Sequence, residues 1–167
     1  FELERRVSVD LEMLDDDLDF AGQEQTQAAA VVGVTRLEFL GYPDCAVEPT
    51  LALRRDITRV IRTHRPHRLI TMSPERQWVR IGRSHPDHLA TGEAAMRAVF
   101  PDARTKFAHR ELAEAGLAPW AVPQVWLMVG RDPNTHVDIT DTLDAKLAAL
   151  SGHRSQHPEQ SELHRMV

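Results

Sequence analysis

The segment RSHPDHLATG, residues 83–92, places two histidines three positions apart around a proline and an aspartate. Pro86 suits the first position of a helix, because a proline there gives up no helical hydrogen bond. His85 is then predicted to be the N-cap, Asp87 the second helical residue and His88 the third. Side chains at the N-cap and the third position are the pair that meet in a capping box. The two imidazoles should therefore converge beyond the helix end.

Two neighbouring imidazoles at a helix N-terminus can perform different tasks. One can bind a metal as a neutral base, and the other can carry a proton or donate a hydrogen bond to developing negative charge. The helix end favours an anion and the charged form of Asp87, which can orient a histidine. The alternative is a purely structural helix cap, since proline and aspartate are common at helix starts. A catalytic zinc usually has three protein ligands, and HPDH cannot supply all three alone.

The rest of the chain predicts strands alternating with helices. Residues 7–13 alternate apolar with polar side chains, which is typical of a half-buried strand. The other predicted strands are RLEFLG (36–41), RLITMS (68–73), QVWLMV (124–129, as a buried strand) and HVDIT (136–140). The predicted helices cover residues 22–34, 51–65, 86 to about 100, 110–116 and 141–153. This alternation implies an α/β fold with a largely parallel sheet, in which ligands bind at the carboxyl ends of strands.

The helix over residues 51–65 combines an apolar stripe with several arginines. The stripe has the i, i+4, i+7, i+8 spacing of a core-facing surface and consists of Leu53, Ile57, Val60 and Ile61. The arginines lie mostly elsewhere on the helix and are Arg54, Arg55, Arg59 and Arg62. They could bind phosphate, but a solvated face is the favoured interpretation. The net charge of −5 argues against a nucleic-acid partner.

Length and composition predict one globular domain over residues 1–167. Cys45 is the single cysteine, so no internal disulfide forms, which fits a reducing compartment. No apolar run approaches the roughly 20 residues of a membrane span, and no leader pattern is visible. We therefore expect a cytoplasmic protein with no membrane span.

Three stretches resemble the LmbE-like, or PIG-L, zinc-dependent de-N-acetylases. SHPDHLATGEAAMRAV (84–99) is similar to the second histidine motif of that family. AAAVVGVTRLEFLGYPD (28–44) resembles its helix, strand and loop before a long arginine-rich helix. VDITDTLDAKLAALSGHRSQ (137–156) resembles its C-terminal segment, which often ends in His-x-Ser-Gln. The stretches occur in the family's order, and the resemblance covers roughly residues 21–157.

The resemblance implies a Rossmann-like three-layer α/β fold and an amidohydrolase reaction. Members include N-acetylglucosaminyl-phosphatidylinositol deacetylases and enzymes of mycothiol metabolism, which hydrolyse an amide on an amino sugar such as an N-acetylglucosaminide. Zn²⁺ polarises the carbonyl and activates water. By resemblance, His88 is the zinc ligand, and His85 stabilises the oxyanion and protonates the leaving amine. Asp87 supports His85.

The candidate substrate-binding residues lie in three places and are Tyr42, Asp44, Arg83, His153 and Gln156. The GYPD loop could face a sugar hydroxyl or form a simple turn. Arg83, with Arg80, could hold an anionic substrate group or be solvated, and Trp78 could form part of an acceptor wall. His153 and Gln156 could line the pocket or belong to a helix-end cap.

The family's first motif, His-Pro-Asp-Asp, does not occur in these residues. Residues 1–20 contain no histidine, and DDDLDF at 15–20 offers carboxylates without that context. We therefore expect the first βα unit to be absent and the remaining zinc ligands to belong to that missing motif. We therefore expect this chain to bind zinc weakly. We also expect it to self-associate through an unpaired strand edge. The alternative function is a catalytically inactive sugar-binding or scaffold protein on the same fold.

Overall fold

The computed structural model describes residues 7–12 and 19–156. Met13, most of the acidic run at 15–20, His157 and His164 lie outside the described residues. The elements, in chain order, are β1 (Val7–Glu12), α1 (Asp19–Val31), β2 (Arg36–Tyr42), α2 (Leu51–His64), β3 (Arg68–Met72), α3 (Pro86–Val99), α4 (Arg110–Glu114), β4 (Gln124–Met128) and α5 (Leu143–Leu150). Short 3₁₀ turns lie at Trp78–Arg83, Asp102–Arg104 and Thr140–Thr142.

The chain divides into two compact units. The first comprises residues 1–43 with 135–167, and the second comprises Asp44–Asn134. In the first, β1 and β2 pair in parallel, from Val7 opposite Arg36 to Asp10 opposite Phe39. Helices α1 and α5 pack together. Gly33 follows α1 at φ 74°, in the left-handed region that glycine adopts without strain, and the helix ends at Val31, before the predicted boundary at residue 34.

The second unit contains the arginine-rich helix and a second parallel strand pair. Thr50 caps α2, since its Oγ1 accepts a hydrogen bond from the Leu53 N–H at 3.2 Å. The four residues of the predicted apolar stripe on α2 are all buried. Helix α3 packs against α2 and β3, and β3 pairs in parallel with β4 from Arg68 opposite Gln124 to Met72 opposite Met128. The predicted α/β alternation with parallel pairing is therefore confirmed.

The strand predicted at QVWLMV is present but not buried, and the strand predicted at HVDIT is absent. QVWLMV forms β4, but its side chains are half-buried or exposed, and Leu127 and Met128 are 44% and 47% exposed. HVDIT forms no strand. Asp138 Oδ1 instead accepts hydrogen bonds from the Thr140 N–H at 2.9 Å and the Thr140 hydroxyl at 2.6 Å. This local turn offers the backbone an alternative to a strand ladder, and Val137 is left 57% exposed.

The arginines of α2 form a partly buried ion-pair cluster, so the solvated-face interpretation is wrong for two of them. Arg54 binds both carboxylate oxygens of Asp102, at 2.9 and 2.8 Å, and Asp102 is 2% exposed. His109 Nε2 lies 3.2 Å from the same carboxylate. Arg62 is 3% exposed and donates to three backbone carbonyls between residues 102 and 108. Burial lowers the pKa of Arg62. These side chains hold the segment after α3 against α2.

Across the two described ranges, none of the helices has the length and apolar character needed to cross a membrane.

Candidate active site

Helix α3 approaches the carboxyl end of β3 so closely that only glycine fits at the contact. A Cβ built on Gly92 would clash with the carbonyl oxygen of Met72 and would lie 3.0 Å from the Pro74 nitrogen. The Ser73 N–H donates to the Met128 carbonyl at 2.9 Å, which ties the chain after β3 to the end of β4. The histidine-bearing helix is thus fixed at the end of the strands where ligands bind in α/β folds.

The N-terminus of α3 has the predicted capping arrangement. His85 is the N-cap, Pro86 begins the helix, and His85 Nδ1 accepts a hydrogen bond from the Asp87 N–H at 3.3 Å. Because Nδ1 accepts, the neutral imidazole carries its proton on Nε2. The cap therefore leaves a hydrogen-bond donor on the far side of the ring, where it can meet a substrate oxygen.

His88 lies beside His85, as the spacing predicts. The ring centroids are 5.4 Å apart, and the ring planes are inclined at 50°. Both residues are exposed. Two imidazoles at this separation, at the positive end of a helix, can both contact the same small ligand, each through a different ring nitrogen.

Asp87 is buried, at 8% exposure, and its two carboxylate oxygens differ. Oδ2 accepts a hydrogen bond from the Cys45 N–H at 2.7 Å. Oδ1 is buried and has no hydrogen-bond partner among the described residues. Buried polar atoms are normally hydrogen-bonded, so Oδ1 is open to a donor outside this set. The carboxylate joins the β2–α2 loop to the histidine motif.

Cys45 is a neighbour of the histidine motif that the sequence did not reveal. Its φ of 60° is unusual for a residue with a side chain and directs its N–H at Asp87. The exposed thiol lies 3.5 Å from Asp44 Oδ2. The hydrogen bond to Asp44 and the negative charge of that carboxylate raise the pKa of the Cys45 thiol. The proline and aspartate that precede Cys45 predict a turn. No local sequence pattern, however, predicts that the backbone N–H of Cys45 donates a hydrogen bond to residue 87.

The chain reaches His85 through an approach loop, residues 76–83. Ser84, which is 2% exposed, closes this loop by accepting a hydrogen bond from the Gln77 N–H at 2.8 Å. The Gln77 side-chain amide donates to the Val129 carbonyl at 2.6 Å. Arg83 is exposed and lies within this loop, two positions before His85.

The other candidate substrate-binding residues fall in different places. Tyr42 ends β2, and Asp44 is exposed at the start of the second unit. His153 and Gln156 belong to the first unit and follow α5. The intervening Ser155 donates its N–H and hydroxyl to the Glu24 carboxylate, at 3.0 and 2.7 Å. Roles for these residues in substrate binding remain predictions.

The described residues do not by themselves form a metal site. Within residues 7–12 and 19–156, no group of three or more histidine, cysteine, aspartate or glutamate side chains is placed to hold an ion. The motif by itself presents two exposed imidazoles side by side. A catalytic zinc needs further ligands.

Comparison with known proteins shows which family this chain resembles. The family model for GlcNAc-PI de-N-acetylase, PIG-L, matches residues 16–99. Diacetylchitobiose deacetylase of Thermococcus kodakarensis is 32% identical over 137 residues, covering 82% of this chain and 49% of the relative. The 1D-myo-inositol 2-acetamido-2-deoxy-alpha-D-glucopyranoside deacetylase 2 of Saccharopolyspora erythraea is 32% identical over 200 residues, covering 93% of this chain and 69% of that protein.

The solved structures agree with the predicted fold. N,N'-diacetylchitobiose deacetylase from Pyrococcus horikoshii superposes with a TM-score of 0.79 at 27% identity, covering 93% of this chain and 60% of that one. The protein TT1542 of Thermus thermophilus, at 20% identity and a TM-score of 0.74, shares the fold. The chain spans about half the length of the Thermococcus deacetylase. The Rossmann-like α/β fold is confirmed, and the chain belongs to the PIG-L family of GlcNAc-PI de-N-acetylases.

Proposed function

We propose that this chain carries part of the active site of a hydrolase that removes an acetyl group from an N-acetylated amino sugar. The observation that carries the proposal is the His85–His88 pair at the N-terminus of α3, with its rings 5.4 Å apart. The related proteins from Thermococcus and Saccharopolyspora are deacetylases of N-acetylglucosamine-containing compounds by name, which supports the substrate class.

His85 has the geometry of an oxyanion donor. Its Nδ1 accepts from the Asp87 N–H, so Nε2–H is directed away from the helix and can donate to the amide oxygen as negative charge develops there. In the doubly protonated ring, Nδ1 carries a proton and this bond is lost. The geometry therefore supports oxyanion stabilisation better than proton donation to the leaving amine.

Asp87 has a positioning role in this proposal. Its backbone N–H fixes the orientation of the His85 ring, and its carboxylate anchors the Cys45 loop at 2.7 Å. Among the described residues, the carboxylate is hydrogen-bonded to the β2–α2 loop and not to His85.

Family resemblance implies zinc, and His88 is the candidate ligand. A bound ion would polarise the acetamide carbonyl and activate water. Its further ligands would have to lie outside the described residues, since these hold no group of three donors. Tyr42, Asp44, Arg83, His153 and Gln156 are the residues proposed to contact the sugar.

Acetate release from N-acetylglucosamine and a simple N-acetylglucosaminide, with added Zn²⁺, tests the proposal in an intact parent enzyme that carries the family's His-Pro-Asp-Asp motif together with these residues. His88→Ala should lose metal and activity together. His85→Ala should retain metal and lose about 100- to 1,000-fold in turnover, the usual cost of one oxyanion donor. His136→Ala, at an exposed position outside the motif, is the matched control and should behave as wild type. Full activity in both motif variants would show that HPDH is only a helix cap. Sugar binding without turnover in wild type would favour the non-catalytic alternative.

A further inference from the structure

We propose that the buried face of α2 holds a binding site for a small monovalent anion such as chloride, between the Thr58 hydroxyl and the Arg62 guanidinium. The two residues are four positions apart on α2, so their side chains are neighbours on the helix surface. The site is separate from the histidine motif, because Arg62 contacts the segment that follows the C-terminal end of α3, whereas the two histidines lie at its N-terminus. It does not depend on the proposed function.

Several polar atoms in this region are buried without a partner. Thr58 is 0% exposed and Arg62 is 3% exposed. Within the part of the chain that the structure describes, Thr58 Oγ1 and the Nε and Nη1 atoms of Arg62 have no hydrogen-bond partner. Buried polar atoms in folded proteins are nearly always hydrogen-bonded. Three such atoms on two neighbouring side chains therefore indicate an occupant that accepts hydrogen bonds.

The guanidinium of Arg62 is already fixed in place, so it cannot turn towards other acceptors. Its Nη2 atom donates to the backbone carbonyls of Asp102, Thr105 and Ala108, at 2.8, 2.6 and 3.2 Å. These carbonyls satisfy the N–H groups of Nη2 but bring no net negative charge. The N–H groups on Nε and Nη1 are held in position and remain available to a ligand.

The charge of Arg62 favours an anion over a water molecule. Among residues 7–12 and 19–156, no carboxylate lies within ion-pair distance of Arg62, and both carboxylate oxygens of Asp102 are bound by Arg54. The Glu111 side chain is 60% exposed, so solvent screens its charge. Burial lowers the pKa of Arg62 although Asp102 and Glu111 act to raise it. Buried charges are normally paired, and a bound anion supplies the missing negative charge.

The same burial limits the size and charge of the anion. Thr58 has no exposed surface, so a sugar or a bulky organic anion does not fit beside it. A divalent phosphate or sulfate loses far more hydration free energy on burial than a monovalent ion does. A halide is a single atom that accepts hydrogen bonds from N–H and O–H groups in any direction. The alternative occupant is an ordered water molecule, which commonly fills buried polar sites.

Bromide tests the position of the anion directly, because it resembles chloride in size and scatters anomalously. Crystals of the full chain in sodium bromide, measured at the bromine absorption edge, should show an anomalous peak in contact with Thr58 Oγ1 and the Arg62 guanidinium. Density with the weight of water and no anomalous signal at that position would overturn the proposal.

Thermal unfolding tests whether the anion binds in solution. The full chain is melted at constant ionic strength while sodium chloride replaces sodium gluconate, whose anion is too large for the site. At a chloride concentration tenfold above its Kd, mass action lowers the ratio of unfolded to folded protein about tenfold. This corresponds to a rise in Tm of roughly 3–6 °C for a chain of this size. The same Tm in both salts across the titration would contradict the site.

Thr58→Val removes the hydroxyl and keeps the shape of the side chain. The variant should fold, because a methyl group replaces a hydroxyl for which the described residues supply no partner. Its chloride affinity should fall at least about tenfold, since a hydrogen bond to a charged ligand is lost, and the rise in Tm should shrink accordingly. Thr63→Val makes the same change at an exposed position of α2 and should respond to chloride as wild type does. An unchanged chloride response in Thr58→Val would reveal a general salt effect and overturn the site.

Discussion

Replacing Gly92 with alanine tests whether α3 is held tightly at the end of β3. The new Cβ would meet the Met72 carbonyl oxygen and the Pro74 nitrogen, both of which are backbone atoms. Neither can move by a rotamer change, so the cost should lie near the upper end of overpacking, about 3 kcal/mol. Alanine gains about 1 kcal/mol over glycine inside a helix. The net loss of unfolding free energy is about 2 kcal/mol, or roughly 4–8 °C in Tm for a chain of this size.

Differential scanning calorimetry and urea unfolding measure this effect. The matched control is Gly82→Ala, because a Cβ at Gly82 meets nothing within 4 Å, and its Tm should change little. The Gly92 variant should also release acetate more slowly, since a displaced α3 carries His85 and His88 with it. A Gly92→Ala protein that melts at or above the wild-type temperature would refute the tight contact, because only the helix-propensity gain would then be acting.

The remaining predictions concern three charged or titratable groups. Asp102→Asn breaks the bidentate pair with Arg54 and should cost about 3–5 kcal/mol of unfolding free energy in urea titrations; a loss below about 1 kcal/mol would show that the pair is not effectively buried. The hydrogen bonds from Ser155 lower the pKa of Glu24. Their contribution to the free energy of unfolding is therefore complete at pH values above the ordinary glutamate pKa, and it is lost as the pH falls through the lowered pKa of Glu24. The protection factor of the Ser155 amide against hydrogen exchange should therefore fall only in acid, and Glu24→Gln should remove that pH dependence. An equal acid-induced fall in the variant would exclude Glu24 as the cause. The raised pKa of Cys45 leaves little thiolate at neutral pH, so iodoacetamide should alkylate it more slowly than free cysteine, and faster alkylation would contradict the assigned effect of the neighbouring aspartate.

The helix cap at the histidine motif could be predicted because its causes are local. Proline fixes the first helical position, and residues three apart on a helix start necessarily lie close together. The sequence alone thus placed His85 and His88 side by side, and the structure has their rings 5.4 Å apart. The alternation of strands and helices was also readable, since apolar spacing reports which face of each element is buried.

Contacts between distant segments could not be read in this way. Nothing near Cys45 indicates that its N–H would reach Asp87, 42 residues later. Arg62 is buried because its guanidinium donates to carbonyls 40 to 46 residues further along the chain, which take the place of water. The HVDIT segment alternates like a strand, yet Asp138 turns its backbone locally, because a strand needs a partner ladder that the pattern cannot supply.

The sequence by itself determined the element types, the helix that carries the two histidines and the atoms able to react. The tertiary structure decided which carboxylate is buried, which loop is anchored to it and how closely α3 meets β3. The physical reason is that capping and periodicity depend on bonds between near neighbours, whereas burial and orientation depend on which remote surfaces meet and exclude water.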